Sequence, residues 1–263
     1  MIQSITFGDK NTWDDWHILP KERPVFAPPA VKTHYIDIPG GNGSLDLTES
    51  LTGYPVYENR KGSFTFRVMN DYGYWADRYS EIMNHLHGKR MNAVLADDDR
   101  WFYRGRFTVD DWKSADTWSE ITIGYEVEPF KWSIKSSTDD WLWDPFNFKN
   151  GVINDVAFSG ITIDNSSSWT EKKLPYSNAD GRFNSEQWFG TVPIAPNITV
   201  SNAPLTGIDI RFVNSALNID KTINFKNGTS FAPDFIFYGQ KEPYSIYFKG
   251  AGTVSIDFRV GRL

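Results

Sequence analysis

Large apolar residues alternate with polar residues along many short stretches of this 263-residue chain. Successive side chains of a β-strand point to opposite faces, so this alternation is typical of strands with one buried face. The apolar positions are Phe64, Phe66 and Val68; Ile121, Ile123, Tyr125 and Val127; Ile208, Ile210 and Phe212; Tyr244, Ile246 and Phe248; and Val254, Ile256, Phe258 and Val260. The aromatic content of 16% also suits pleated sheets, and the chain is predicted to be mainly β.

One stretch follows a helical period instead. Between Trp75 and Leu86 the apolar residues recur three or four positions apart, which places them in a single stripe on a helix. Gly88 follows directly, where a helix end favours a residue with access to positive φ. We predict one α-helix, over about residues 74–87, packed on a sheet.

The apolar patterning stops after Trp132 and resumes beyond a polar stretch at residues 135–140. We predict a domain boundary there, with an N-terminal domain over 1–134 and a C-terminal domain over 135–263. The first domain is expected to be a β-sandwich or sheet carrying the helix. The second lacks a helical stripe and has short strands between Pro and Gly residues, which predicts an all-β sandwich or jelly roll. The polar stretch is the segment where we expect a protease to cut first.

Composition argues against several classes of partner. The net charge is −6 and no Lys/Arg-rich run occurs, so we expect no nucleic-acid partner. Cysteine is absent, which excludes disulfides and thiolate metal sites. No apolar stretch is long enough to span a bilayer, and the first residues are too polar for a secretory signal. We expect no membrane partner and a chain that is soluble when made.

Carboxylates and histidines are present, but not in catalytic patterns. Asp-Asp-Trp occurs three times, beginning at Asp14, Asp110 and Asp139, yet adjacent residues on a strand face opposite ways. His85 and His87 would lie about 200° apart on the predicted helix, too far to bind one metal ion. We predict no enzymatic activity, no metal and no cofactor.

Four tryptophans of the second half lie among polar residues. Trp141, Trp143, Trp169 and Trp188 could stack against sugar rings if they are exposed on the predicted sandwich. Tryptophan is also a common core and interface anchor. The sequence leaves glycan contact and partner contact open for these four residues.

Residues 1–132 resemble the distal tail protein family of siphophages, as found in prophages of Gram-positive bacteria. No single segment identifies the family, but the ordered set of segments over half the chain does. The segments that carry the resemblance are ITFGDKNTW at 5–13, DWHIL at 15–19, IPG at 38–40, GSLDLT at 43–48, GYPVYENR at 53–60, LHG at 86–88 and EPF at 128–130.

The resemblance implies a structural protein of the virion tail tip that is made in the bacterial cytoplasm. In this family the N-terminal domains form a hexameric ring that joins the tail tube protein to the tail-associated fibre-hub protein. The C-terminal domain is often galectin-like and projects outwards, and the family has no catalytic residues. Two hypotheses therefore remain: a structural baseplate-hub adaptor, and a carbohydrate-binding module that contacts host cell-wall saccharide through the C-terminal sandwich.

Overall fold

The computed structural model describes residues 3–68, 74–114, 118–139, 146–147, 152–153, 158–172, 191–238 and 244–263. It divides into two compact units, Met1–Lys131 together with Leu263, and Trp132–Arg262. Both units are built from β-strands, and the described residues contain one α-helix. The predicted class, mainly β in two domains, is confirmed.

The first unit is built around one antiparallel sheet with the strand order β2-β1-β7-β8-β9-β6-β3. A separate hairpin, β4–β5, lies outside this sheet. The elements are β1 (Ile5–Phe7), β2 (Lys10–Asn11), β3 (Ile18–Pro20), β4 (Tyr35–Asp37), β5 (Ser44–Asp46), β6 (Arg60–Val68), α1 (Trp75–Leu86), β7 (Lys89–Leu95), β8 (Trp101–Ser114) and β9 (Ser119–Val127).

The predicted alternation sets the buried face of this sheet. Phe64, Phe66 and Val68 are buried on β6, whereas Thr65 and Arg67 between them are not. The matching positions of β9, Ile121 to Val127, are also buried. Burial of apolar surface at about 25 cal/mol per Å² is the main force that holds such a core together.

The helix α1 has the predicted position and packs on the sheet through Ile82 and Leu86, which are fully buried. It ends one residue earlier than predicted, so His87 lies beyond it. The N–H of His87 donates to Met83 O at 3.0 Å, and Gly88 then takes a φ of 73°. This positive φ turns the chain directly into β7.

From the boundary onwards the elements are β10 (Lys131–Ser133), β11 (Phe146–Asn147), β12 (Val152–Ile153), β13 (Ile161–Lys172), β14 (Asn197–Ser201), β15 (Ile208–Asn214), a 3-10 turn (Ser215–Leu217), β16 (Ile219–Phe225), β17 (Gly228–Phe231), β18 (Tyr244–Asp257) and β19 (Gly261–Arg262). The larger sheet has the order β16-β15-β18-β14-β17, with β13 also paired to β18. β10 pairs with β19 and β11 with β12.

The strand β18 is long and changes direction part-way. It pairs with β15 through residues 244–249 and with β14 through residues 253–257. Gly250 and Gly252, between these halves, have φ values of 131° and 138°. A Cβ on Gly252 would lie 2.9 Å from Ser201 O, so this approach of two strands requires glycine. The sequence predicts two separate strands here, and the glycines join them into one curled strand.

Candidate functional site

Several acidic side chains of the first unit serve as local structural partners. Asp98 accepts from Lys131 Nζ at 2.6 Å, and Asp97 accepts from Arg23 Nε at 2.8 Å. Asp15 accepts from the Asn11 N–H at 2.7 Å, and this bond lowers the pKa of the Asp15 carboxyl. Within the described part of the chain, no group of three or more His, Asp or Glu side chains could hold a metal ion.

The two histidines near α1 bind backbone groups of different strands. His85 Nε2 lies 2.8 Å from Phe7 O on β1. His87 Nδ1 accepts from the Val109 N–H at 3.0 Å, next to the irregularity between Val109 and Asp111 where β8 shifts its register against β9. Both rings therefore hold the helix end and neighbouring strands together.

Of the four tryptophans proposed for glycan or partner contact, one is described. Trp141, Trp143 and Trp188 lie outside the described residues. Trp169 lies on β13, where its strand is irregular between Ser166 and Thr170, and the residue is 39% exposed. Glycan stacking at these four positions stays a prediction.

Charged and aromatic residues occupy β13 near Trp169 and the next two strands across the sheet. Glu171, two residues further along β13, pairs with Tyr247 of β18, which in turn pairs with Arg211 of β15. The Arg211 guanidinium lies 5.9 Å from the centre of the Tyr247 ring and donates to both oxygens of Asp220, at 2.8 and 2.7 Å. These hydrogen bonds lower the pKa of the Asp220 carboxyl and raise that of Arg211. The sheet thus presents an aromatic ring beside a fixed ion pair.

A different feature dominates the first unit: a projecting two-stranded segment over residues 30–58, here named the arm. None of its residues is buried. Its two halves are joined by backbone hydrogen bonds, from Glu58 N–H to Ala30 O and from Lys32 N–H to Val56 O, both at 2.8 Å. Further along, Leu47 N–H donates to His34 O at 2.9 Å, and the hairpin β4–β5 forms the tip.

The arm exposes large apolar side chains along its whole length. Leu51 is 99% exposed, and the others are about half exposed. They are Val31, Tyr35, Ile36, Ile38 and Leu45. A two-stranded ribbon is at best marginally stable in water, and ordering a residue costs about 1–2 kcal/mol of backbone entropy. An arm with no buried side chain gains little to offset that cost on its own.

The base of the arm, in contrast, is firmly anchored. Phe26 is buried against a ring cluster, with its centroid 4.0 Å from that of Tyr103 and 5.1 Å from that of Phe64. The next residue, Ala27, donates its N–H to Tyr125 Oη at 2.8 Å. The chain therefore leaves the core at a fixed point just before the arm begins.

Arg60 anchors the other end, where the arm joins β6. The residue is 5% exposed, and it donates from Nη1 to Ala27 O at 3.0 Å and from Nε to Pro129 O at 2.8 Å. Its Nη2 is buried and finds no acceptor among the described residues. Burial lowers the pKa of Arg60, and its guanidinium lies 5.5 Å from the Tyr103 ring centre. A buried cation without a carboxylate is costly, which indicates a structural requirement at this joint.

Sequence reasoning did not identify the arm, although part of its sequence contributed to the family resemblance. The detectable signal was local: several large apolar residues, Tyr35, Ile36 and Ile38 among them, beside the turn-forming Pro39-Gly40 and Asn42-Gly43. Such residues are normally assigned to a core. Only the structure reveals that they are exposed.

Comparison with known proteins finds a similar fold among solved structures. No family model matches the chain, and no curated protein matches it. The fold is similar to that of SPP1 Dit (gp 19.1), with a TM-score of 0.56 over 100% of both chains and 13% sequence identity. That protein is described as a paradigm of the hub adsorption apparatus in phages infecting Gram-positive bacteria. The chain has a Dit-like fold. Among the described residues, no helix is both long and apolar enough to cross a membrane.

Proposed function

We propose that this chain is a structural distal tail protein of a long-tailed phage or prophage. It forms a hexameric ring at the virion tail tip, between the tail tube protein and the tail-associated fibre-hub protein. The role is mechanical, so no catalytic residue and no cofactor are assigned to it. The Dit-like fold supports the tail role, because the matching solved structure is a phage hub protein.

The observation that carries the ring is the arm over residues 30–58. Its exposed apolar side chains and anchored base suit a contact with another protein, because a partner supplies the burial that the arm lacks. A ring requires two different surfaces on each subunit, so that each copy binds one neighbour and is bound by the other. The arm supplies one of these two surfaces.

The ring is tested by measuring the native mass of the purified chain across a concentration series. We expect monomers to assemble into hexamers as concentration rises. A variant with residues 33–55 replaced by a short Gly-Ser linker should remain monomeric, with the melting transition of its β-domains retained. A wild-type chain that stays monomeric at every concentration would contradict the ring.

The tail role has a separate test. An epitope tag on the chain, located by gold-labelled antibody in electron micrographs of assembled tails, should mark the tip. Label along the tail shaft, or its absence from tails, would exclude the adaptor function even if the purified chain forms rings.

We propose saccharide binding at the outer face of the second unit as a second function. The supporting observation is Trp169 on the same strand as Glu171, with the Tyr247–Arg211–Asp220 group alongside. An aromatic face can stack on the C–H face of a sugar, and carboxylate and guanidinium groups can hydrogen-bond its hydroxyls. A host cell-wall saccharide is the ligand class that we assign.

Binding of this kind is weak at one site, roughly 1 mM or about −4 kcal/mol, but a ring could raise avidity by about 10²–10⁴. The test compares the ring-forming chain with its Trp169→Ala variant in binding to host cell walls. Phe231→Ala is the matched control, because Phe231 is an aromatic residue on β17 of the second unit that is 61% exposed. Loss of binding in Trp169→Ala alone is expected. Equal binding by all three folded proteins would remove Trp169 from a receptor role.

A further inference from the structure

The exposed large apolar residues of the first unit fall into two groups, apart from Val25 and Leu263. One group is the arm. The other, here named the aromatic patch, surrounds the start of α1 and the ends of β8 and β9. Its exposed members are Tyr74, Trp112 and Trp118, and it includes the partly buried rings of Trp75 and Tyr79, which pack on Trp112. A ring subunit needs a donor surface and a different acceptor surface, and these two groups provide such a pair.

Within the patch, three rings pack on one another. Tyr79 stacks on Trp112 with centroids 4.6 Å apart, and Trp75 lies 5.2 Å from Trp112. The stack leaves Trp112 39% exposed. Trp118, directly before β9, and Tyr74, directly before Trp75, are 45% and 85% exposed. Aromatic side chains with an exposed face are the residues most enriched at the centres of protein interfaces.

Tyr74 occupies the N-cap position of α1, where its side chain makes no capping hydrogen bond. Ser, Thr, Asp or Asn at an N-cap stabilises a helix by about 1 kcal/mol relative to an apolar residue. The chain forgoes that stabilisation and instead exposes a tyrosine. The Tyr74 side chain is therefore available for a contact with another molecule.

The arm and the patch lie at opposite ends of one strand pair. β6 and β9 pair from Arg60 and Val127 at one end to Val68 and Ser119 at the other. The arm is anchored at the Arg60 end, whereas Trp118 adjoins Ser119. At about 3.4 Å per residue, the pair separates the arm base from the patch by roughly 27 Å. The base of the arm and the patch are therefore distinct surfaces, as a contact from each copy to the next requires.

The exposed areas match a stable interface. With about 150–250 Å² for an aromatic side chain, the exposed parts of Tyr74, Trp112 and Trp118 give the patch roughly 350 Å² of surface, and a docked arm would lose a similar area. Apolar atoms contribute about 57% of a typical interface, so the complete contact would bury about 1,200 Å². Stable interfaces bury about 1,200–2,000 Å² in total.

We infer that the arm of one copy docks on the aromatic patch of the next copy around the ring. This inference rests on the proposed ring. It specifies that the occupant of the patch is the apolar segment of a second copy of this chain.

The deciding variant is Tyr74→Asp, because Asp suits the N-cap and should leave α1 intact while placing a charge in the patch. Its control is Leu205→Asp, since Leu205 is 98% exposed on the second unit, outside both groups. Tyr74→Asp should raise the concentration needed for half-assembly by at least about tenfold, as expected for an interface anchor. Leu205→Asp should leave it unchanged, and both variants should melt like wild type.

The contact itself is tested by cross-linking, for which the absence of cysteine gives a clean background. Leu51→Cys chains mixed with Tyr74→Cys chains should form a covalent dimer with a short bis-maleimide. Leu51→Cys mixed with Leu205→Cys should not. Rings that survive Tyr74→Asp and give no 51–74 cross-link would overturn this inference and leave the ring intact. A chain that forms no ring at any concentration would overturn both.

Discussion

Arg60 Nη1 donates a hydrogen bond to Ala27 O at 3.0 Å, and this contact joins the two ends of the arm. Ala27 precedes the arm and Arg60 follows it, so the bond closes the loop of chain at its base. The Ala27 N–H is held at the same time by Tyr125 Oη. Both backbone groups of one residue are therefore fixed by side chains of the sheet, and the arm leaves the domain in a defined direction.

Replacing Arg60 should loosen this base. Arg60→Met removes the donors to Ala27 O and Pro129 O and leaves both carbonyls to find other partners, at a cost of about 1–3 kcal/mol. Part of this cost is offset because a buried, unpaired charge is also removed. Urea unfolding measures the change. The control is Lys61→Met. Lys61 is the next residue along β6, its side chain is 71% exposed, and its ion pair to Glu126, at 3.5 Å, is exposed and contributes little to stability. Equal destabilisation by the two variants would contradict a role for Arg60 at the base.

Gly62 leaves room for the Tyr125 ring, whose hydroxyl accepts from Ala27 at the base of the arm. A Cβ at this position would lie 2.4 Å from Tyr125 Oη and 2.7 Å from Cζ, so Gly62→Ala must displace the ring that holds Ala27. Tyr125→Phe removes the acceptor, with an expected loss of about 1 kcal/mol. Because both changes act on the same ring, their effects should not add, and Gly62→Ala should cost less in the Tyr125→Phe background. Additive free energies of unfolding in this double-mutant cycle would show that Gly62 acts elsewhere.

Asp15 gives a pH-dependent prediction. The Asn11 N–H, and then Lys10, lower the pKa of this carboxyl from its ordinary value of 3.8. A group with a lowered pKa stabilises the folded state above its ordinary pKa, and that contribution is lost as the pH falls through the lowered value. Asp15→Ala should therefore reduce the Tm at pH 7, and the difference from wild type should narrow below pH 3.8. Asp14→Ala, at the exposed neighbouring residue, serves as control. A difference that stays constant down to pH 2 would mean that ionisation of Asp15 contributes nothing.

Periodicity predicted the parts of this fold that have a buried face. Ile121 to Val127 and Ile208 to Phe212 are buried because alternate residues of a strand must share a face. The helix was predictable because Ile82 and Leu86 lie one turn apart on the stripe that packs against the sheet. In both cases local spacing alone determines which side chains face the core.

The arm could not be predicted in this way, because its apolar residues have no buried face within the subunit. Ile36 and Leu45 oppose each other on β4 and β5, yet both are about half exposed. Hydrophobicity predicts that a side chain will be buried, but not whether its own chain or another molecule buries it. Trp169 poses the same problem, since exposure at an irregular strand depends on register rather than on residue type.

Proteolysis distinguishes the arm from the polar segment at the domain boundary. A protease of broad specificity such as proteinase K should cut the monomer first within the arm, near Tyr35, Leu45 or Leu51, because these residues are exposed and held only by a two-stranded ribbon. The sequence predicts a first cut at residues 135–140 instead. Ser137 favours the arm as the first site, because its Oγ donates to Ile256 O at 2.8 Å and its N–H donates to Phe258 O at 2.9 Å. Assembly should slow cleavage of the arm, since a docked ribbon cannot enter a protease active site. Mass spectrometry of the first fragments, from monomer and from ring, gives the answer. A first cut of the monomer at residues 135–139 would contradict an accessible arm, and equal arm cleavage in monomer and ring would contradict a docked arm.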